Sequence, residues 1–249
     1  MSRSGLNGIG HQPAGGVPAS EGQFVLERRA RLVRPLFPGT GGHLVDFGCG
    51  NGAQTLQFTD DFDRLTGVDV SEIFLEEFRR EITSRRLADR ILAVSTEGGP
   101  VPLSAGTADV VTSFTVLEHV PDELEALAEM RRILRPGGKL IITVPNRWWI
   151  FETHGADLPL LPWNRVPLVS WWPKKLHDRW ARARIYRRRE IERLLVQSGF
   201  SIDGSFRMTA PMDMIPWVPL RKAVRSLFFR PDRAPTPFQA TEIVVAATR

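Results

Sequence analysis

Short apolar runs alternate with amphipathic segments from residue 43 to residue 145, and no other feature constrains the fold as strongly. HLVDF (43–47), RLTGVDV (64–70), ILAVS (91–95), ADVVTSFTVL (108–117) and KLIITVP (139–145) read as five strands. They are short, mostly apolar and separated by turn and helix signals. Behind the second, SEIFLEEFRREITSRR reads as a helix capped by Ser71. From Asp122 to Leu134, the spacing of Leu124, Leu127, Met130 and Leu134 predicts a helix with one apolar face. Arg135-Pro136-Gly137-Gly138 ends it. Arg188 to Gly199 is a further helix with Gly199 as its stop, and FSIDGSF and EIVVAAT supply two last strands. Near the start, Ser20 and Gln23 have capping-box spacing for a helix to about Val33. Strand–helix alternation with short connections predicts an α/β fold, a mostly parallel sheet with helices on both faces. Its ligand site is expected at the carboxyl ends of the strands, near the topological switch point.

The first of those ends carries VDFGCGNG (45–52), in which Gly48, Gly50 and Gly52 alternate behind Asp46. A glycine turn lets a ligand approach the backbone. If a helix to about Phe58 follows, the turn also offers free N–H groups at its start. Gly48-x-Gly50-x-x-Ala53 satisfies the loose dinucleotide fingerprint. Asp69, ending the second strand, suits ribose hydroxyls whichever cofactor is bound. Asp46 separates the alternatives: a carboxylate is poorly placed beside a pyrophosphate and well placed beside a ligand carrying an amino group and a sulfonium.

VDFGCGNG, VDVSE, ADVVTSFTVLEHVPD and ILRPGGKLIITVPN, in that order and spacing, resemble the class I S-adenosylmethionine (SAM)-dependent methyltransferases. The likeness is greatest to the small-molecule branch with the ubiquinone- and menaquinone-type enzymes. It covers residues 40–146 strongly, and 186–204 and 240–249 loosely. It implies a Rossmann-like, seven-stranded sheet whose last strand is antiparallel. It also implies that Asp46, Gly48, Cys49, Gly50 and Gly52 border the methionine part of the cofactor. Asp69, followed by Val70, would hold the ribose, Glu97 would meet the adenine, and Phe114 and Thr115 would flank the methyl donor.

Methyl transfer from a sulfonium is an in-line displacement, so positioning supplies most of the catalysis. An oxygen or nitrogen acceptor adds a need for a general base. The candidates are Glu118 and His119 in LEHV, and Glu152 and His154 in FETHG, both expected at the carboxyl edge of the sheet. Helix capping and loop packing are the plain alternatives for these residues, and His177, in a basic run, reads as solvated surface. Some relatives bind a divalent ion through Glu-x-x-Glu-His; here Thr115 replaces the first carboxylate and no metal is expected. Cys49 reads as a small residue packed inside the turn.

Residues 1–19 read as a mobile tail and 20–249 as one domain with two insertions, a cap at 147–185 and an amphipathic segment at 211–238. All seven tryptophans fall between residues 148 and 217, which suits a cap over an apolar or amphipathic acceptor. The net charge is +5. Basic residues crowd 174–189, and 219–230 reads as a basic amphipathic helix, so either packing on the body or an anionic membrane surface is expected for them. One cysteine, no signal-peptide core and no apolar run of spanning length point to a cytoplasmic setting, with or without association with the inner face of the membrane. The function expected is methyl transfer to a hydroxyl on a lipid-like, lipid-linked or glycan molecule. The rivals are an RNA methyltransferase, which the basic run favours but no recognisable RNA-binding module accompanies, a nicotinamide-dependent oxidoreductase, and a non-catalytic peripheral membrane protein.

Overall fold

The computed structural model describes residues 18–19, 22–151, 156–158, 161–163, 168–173, 177, 181 and 183–249. In chain order the elements are α1 (Phe24–Val33), β1 (His43–Phe47), β2 (Arg64–Asp69), α2 (Glu72–Ser84), β3 (Ile91–Ser95), β4 (Ala108–Phe114), α3 (Glu123–Ile133) and β5 (Leu134–Pro145). A small hairpin, β6 (Ala156–Leu158) and β7 (Leu161–Trp163), follows. The chain then forms α4 (Arg188–Gln197), β8 (Ser201–Thr209), α5 (Val218–Phe228) and β9 (Ala240–Thr248).

Seven strands form one sheet in the order β3-β2-β1-β4-β5-β9-β8. β1 pairs in parallel with both β2 and β4, so the chain reverses its winding direction beside β1. β9 inserts antiparallel between β5 and β8. This is the Rossmann-like architecture expected, antiparallel last strand included. Central strands alternate their side chains between two cores. Leu44, Val110 and Ile141 pack with Leu75 and Phe78 of α2 on one face. Val45, Val111 and Ile142 pack with Leu127 and Met130 of α3 on the other.

Three local expectations are corrected. Behind the glycine turn there is no α-helix but a run of turns and a short 3-10 helix, Thr55–Phe58. Gly50 and Gly52 both take positive φ there, which interrupts helical geometry. α3 buries Ala126, Leu127, Met130 and Ile133, while Leu124 lies exposed and Leu134 already belongs to β5. Asp122 sets the start of α3 by accepting from the N–H groups of Leu124 and Glu125. The Arg135–Gly138 segment is therefore a register shift at the start of β5 rather than a loop before it. The capping residue expected at Ser20 lies outside the described residues; α1 starts after Gln23, with no side-chain cap bond.

Candidate active site

The carboxyl ends of β1, β2 and β4 meet at the switch point, and β2 holds the glycine turn. The N–H groups of Gly48 and Cys49 both donate to the carbonyl of Val68, at 2.7 and 3.0 Å. One Asp69 oxygen accepts from Gly50 N–H at 2.8 Å and the other from Ser71 N–H at 2.9 Å. A carboxylate oxygen has two acceptor sites, so each can still receive a further hydrogen bond.

The question of what approaches the glycines has a protein answer. An added Cβ would lie 2.3 Å from the Val116 side chain at Gly48, 2.7 Å from Pro18 at Gly50 and 2.0 Å from the Phe78 ring at Gly52. Glycine at 52 is an interior packing requirement, and Gly52 is not on the wall of the cavity beside it, whereas Gly48, Cys49 and Gly50 are. Cys49 is buried against Gly67 of β2. Burial, with Asp46 and Asp69 nearby, pushes its thiol up, which suits the packing role.

Asp46 lies beneath the turn rather than at its mouth, 2% exposed. Its oxygens accept from the hydroxyls of Thr55 at 2.6 Å and Thr112 at 2.8 Å. Burial raises its pKa to about 6 in spite of those two bonds. Above Asp46 runs a buried network that sequence reasoning missed. Arg29 of α1 donates to both carboxylate oxygens of Glu242 at 3.2 and 2.6 Å and to Gln54 at 3.3 Å. Its guanidinium stands 5.2 Å from the centre of the Phe114 ring. In the sequence Arg29 is one of several arginines on a short helix, with nothing to mark it as interior.

These groups border one cavity of about 1520 Å³. Asp46, Asp69, Val70, Phe114, Thr115 and His119 all lie on its wall. Thr115 has φ 55°. That is uncommon for a β-branched residue and the kind of local strain that collects at functional sites. Pro18 and Ala19, assigned by sequence to the tail, also border the cavity. Farther out the wall turns apolar, with Trp149, Phe151, Met212 and Met214.

Several expected residues fall elsewhere. Glu97 is exposed and its neighbours Thr96 and Gly98 reach the wall instead. With φ 47° and its N–H donating to the Ser95 hydroxyl, Glu97 turns the chain. Glu118 is fully buried and off the wall, because β4 ends in a turn that sends consecutive side chains inward and outward. His119 borders the cavity, with both ring nitrogens buried. His177 is fully buried, not solvated. Glu152 and His154 lie outside the described residues. Of the tryptophan side chains described, Trp149 alone is on the wall; Trp148, Trp171 and Trp217 are exposed.

A family model described as a methyltransferase domain matches residues 45–142, the span from the glycine turn through β5. Over that span the chain matches a methyltransferase domain. This bears out the resemblance to the class I SAM-dependent family, whose cofactor is SAM. A ubiquinone biosynthesis O-methyltransferase of Nitrosococcus oceani is 32% identical over 152 residues, 57% of this chain and 64% of that protein. Three further curated relatives are matched over only 44–59% of their own length. Among solved structures, geranyl diphosphate C-methyltransferase of Streptomyces coelicolor superposes with a TM-score of 0.61 at 18% identity, over 90% of this chain and 80% of that one. The [4+2]-cyclase SpnF gives 0.64 at 18% identity, over 97% and 88%. At such identities the likeness shows the fold alone.

Proposed function

We propose that this chain is a SAM-dependent methyltransferase that moves a methyl group to a hydroxyl on an apolar or amphipathic small molecule, of lipid-like, lipid-linked or glycan type. The observation that carries this reading is the continuous cavity, polar at Asp69 and apolar at Trp149 and Phe151. At about 1520 Å³ it exceeds the ~300–1,000 Å³ of an ordinary single-ligand pocket, which favours two ligands meeting inside it.

When bound, the cofactor supplies a methyl group on a positively charged sulfur. The wall suits such a ligand. Asp69 keeps acceptor capacity for ribose hydroxyls, and Asp46 carries negative charge above about pH 6 beneath the turn. Phe114 and Thr115 border the same cavity as Asp69 and Trp149. In this reading His119, on the wall, accepts the acceptor's proton, and Glu152 and His154 are the further candidates for that role. Arg29, held by Glu242, sets the position of the Phe114 ring.

The nicotinamide alternative loses support at the turn. A pyrophosphate is favoured by a helix N-terminus, yet the segment behind the turn is a four-residue 3-10 helix whose first residue, Thr55, donates to Asp46. An RNA substrate fits the apolar outer wall poorly.

Isothermal titration with SAM and, separately, NADH tests the donor. SAM binding without an NADH signal is expected; the reverse overturns the reading. Asp69→Ala should weaken SAM binding more than tenfold, because a charged acceptor and the tie to Gly50 go together. Labelled methyl transfer into lipid and glycan extracts then tests the acceptor class. With an acceptor in hand, His119→Ala should lower turnover and leave SAM affinity unchanged. Unaltered turnover removes His119 from the chemistry, and SAM binding with no transfer to any extract supports the non-catalytic rival.

A further inference from the structure

α5 leaves more apolar side chain exposed than an ordinary surface helix does. None of its residues is buried. Contact with the body runs through Arg225, whose guanidinium donates to Asp213 at 2.5 Å and lies 4.2 Å from the centre of the Phe24 ring. Phe229, just past the helix, meets Trp149 edge-on at 6.2 Å. At roughly 100° per residue, Trp217, Leu220, Leu227 and Phe228 fall within an arc of about 100° whose nearer edge lies about 60° from Arg225, and Val224 inside that arc is half-buried. Trp217 is 64% exposed, Leu227 74% and Phe228 62%. The apolar stripe thus faces outward, against the packing expected from periodicity alone.

The stripe has a neighbour of the same kind. The Gln239 side chain donates to the carbonyl of Phe228 at 2.9 Å, tying the end of α5 to the turn that carries Phe238. The Phe238 ring meets those of Trp148 and Trp171 at 5.9 Å each, and all three are exposed. The charge around these groups is net positive. Residues 211–233 hold five basic side chains against two acidic ones, and Arg187 stands 5.9 Å from the Trp148 ring centre.

We propose that this face docks on an anionic lipid bilayer, with α5 lying in the headgroup plane. An outward apolar stripe with basic residues beside it is the pattern of an interfacial helix. Exposed tryptophans fit headgroup depth. A second copy of the chain would bring the same basic residues together across a twofold axis, which charge repulsion opposes. Pro211 links the surface to the cavity: its carbonyl accepts from Arg225, and Met212 and Met214 beside it line the apolar wall. An acceptor drawn from the bilayer therefore has a short path inward. Docking itself does not depend on the methyltransferase reading.

The test is sedimentation with sucrose-loaded vesicles of phosphatidylcholine, with and without about one third phosphatidylserine, at low and high salt. The expected result is binding to the anionic vesicles that weakens with salt and falls at least tenfold in Leu227→Glu/Phe228→Glu. That variant should keep its circular dichroism and SAM affinity, since neither side chain is buried. Bound protein should also lose Trp217 quenching by brominated lipid in Trp217→Phe. Binding that survives the double substitution, or that ignores phosphatidylserine, overturns the proposal. So does absence of binding to the anionic vesicles; a dimer seen by light scattering that the same variant dissociates would then assign the face to a second copy of the chain.

Discussion

Replacing Asp46 by Asn should change how stability depends on pH. In the folded protein burial raises this carboxyl from 3.8 to about 6. Well below pH 4 it is protonated in both folded and unfolded chains and costs nothing. Above pH 6 the folded chain must hold a buried charge that the unfolded chain holds in water. The stability contribution is therefore complete below the unfolded value and lost as pH rises through about 6. At 1.36 kcal/mol per pH unit the total is about 3 kcal/mol, of which about 2–3 kcal/mol falls between pH 4 and pH 7.5. Asn cannot ionise and still offers an oxygen to Thr55 or Thr112. Wild type should lose about 2–3 kcal/mol relative to Asp46→Asn across that range, or about 5–10 °C in melting temperature for a chain of this size. Urea unfolding of ligand-free protein at stepped pH measures the difference. Asp109, Glu129, Glu192 and Asp232, whose pKa values are lowered, act in the opposite direction but are common to both proteins and cancel. A difference that stays constant from pH 4 to pH 7.5 refutes the reasoning.

Two further comparisons probe the scaffold. Glu242→Leu leaves the Arg29 charge buried without its carboxylate and should cost about 3–5 kcal/mol, most of it recovered in Arg29→Met/Glu242→Leu; denaturant melts of the four proteins decide it, and an additive double mutant would show the pair uncoupled. Gly52→Ala meets both a positive φ and the Phe78 ring, and should cost about 2–5 kcal/mol. Gly137→Ala has the same backbone problem with open space around it, and should cost only about 1–2 kcal/mol; equal losses at the two glycines would show that packing against Phe78 contributes nothing.

Strand positions were legible because their information is local. Each of β1 to β4 needs only a run of apolar side chains and a turn signal, and the chain supplies both within a few residues. The antiparallel edge came from the family resemblance, which β9 between β5 and β8 bears out. Asp46, Asp69, Phe114 and Thr115 were legible as a group because parallel strands in this order bring their carboxyl ends to one edge. Glu97 and Glu118 were misplaced for the opposite reason: both follow strand ends, where a single turn decides which way a side chain points.

The sequence by itself determined the alternation of strands and helices and the acidic residues near the ends of β1 and β2, since spacing along the chain dictates these. Tertiary structure alone decided which charges went inside. Arg28 and Arg29 sit side by side on α1, with nothing in the local sequence to mark either as interior. Yet Arg28 is buried against the carbonyls of Thr209, Ala210 and Phe229, and Arg29 against Glu242. Their partners lie some two hundred residues away. Burial of a guanidinium is tolerable only when such distant acceptors converge on it, so no local pattern announces it. The same holds for α5: periodicity revealed an apolar stripe, and only the packed chain showed that it faces outward.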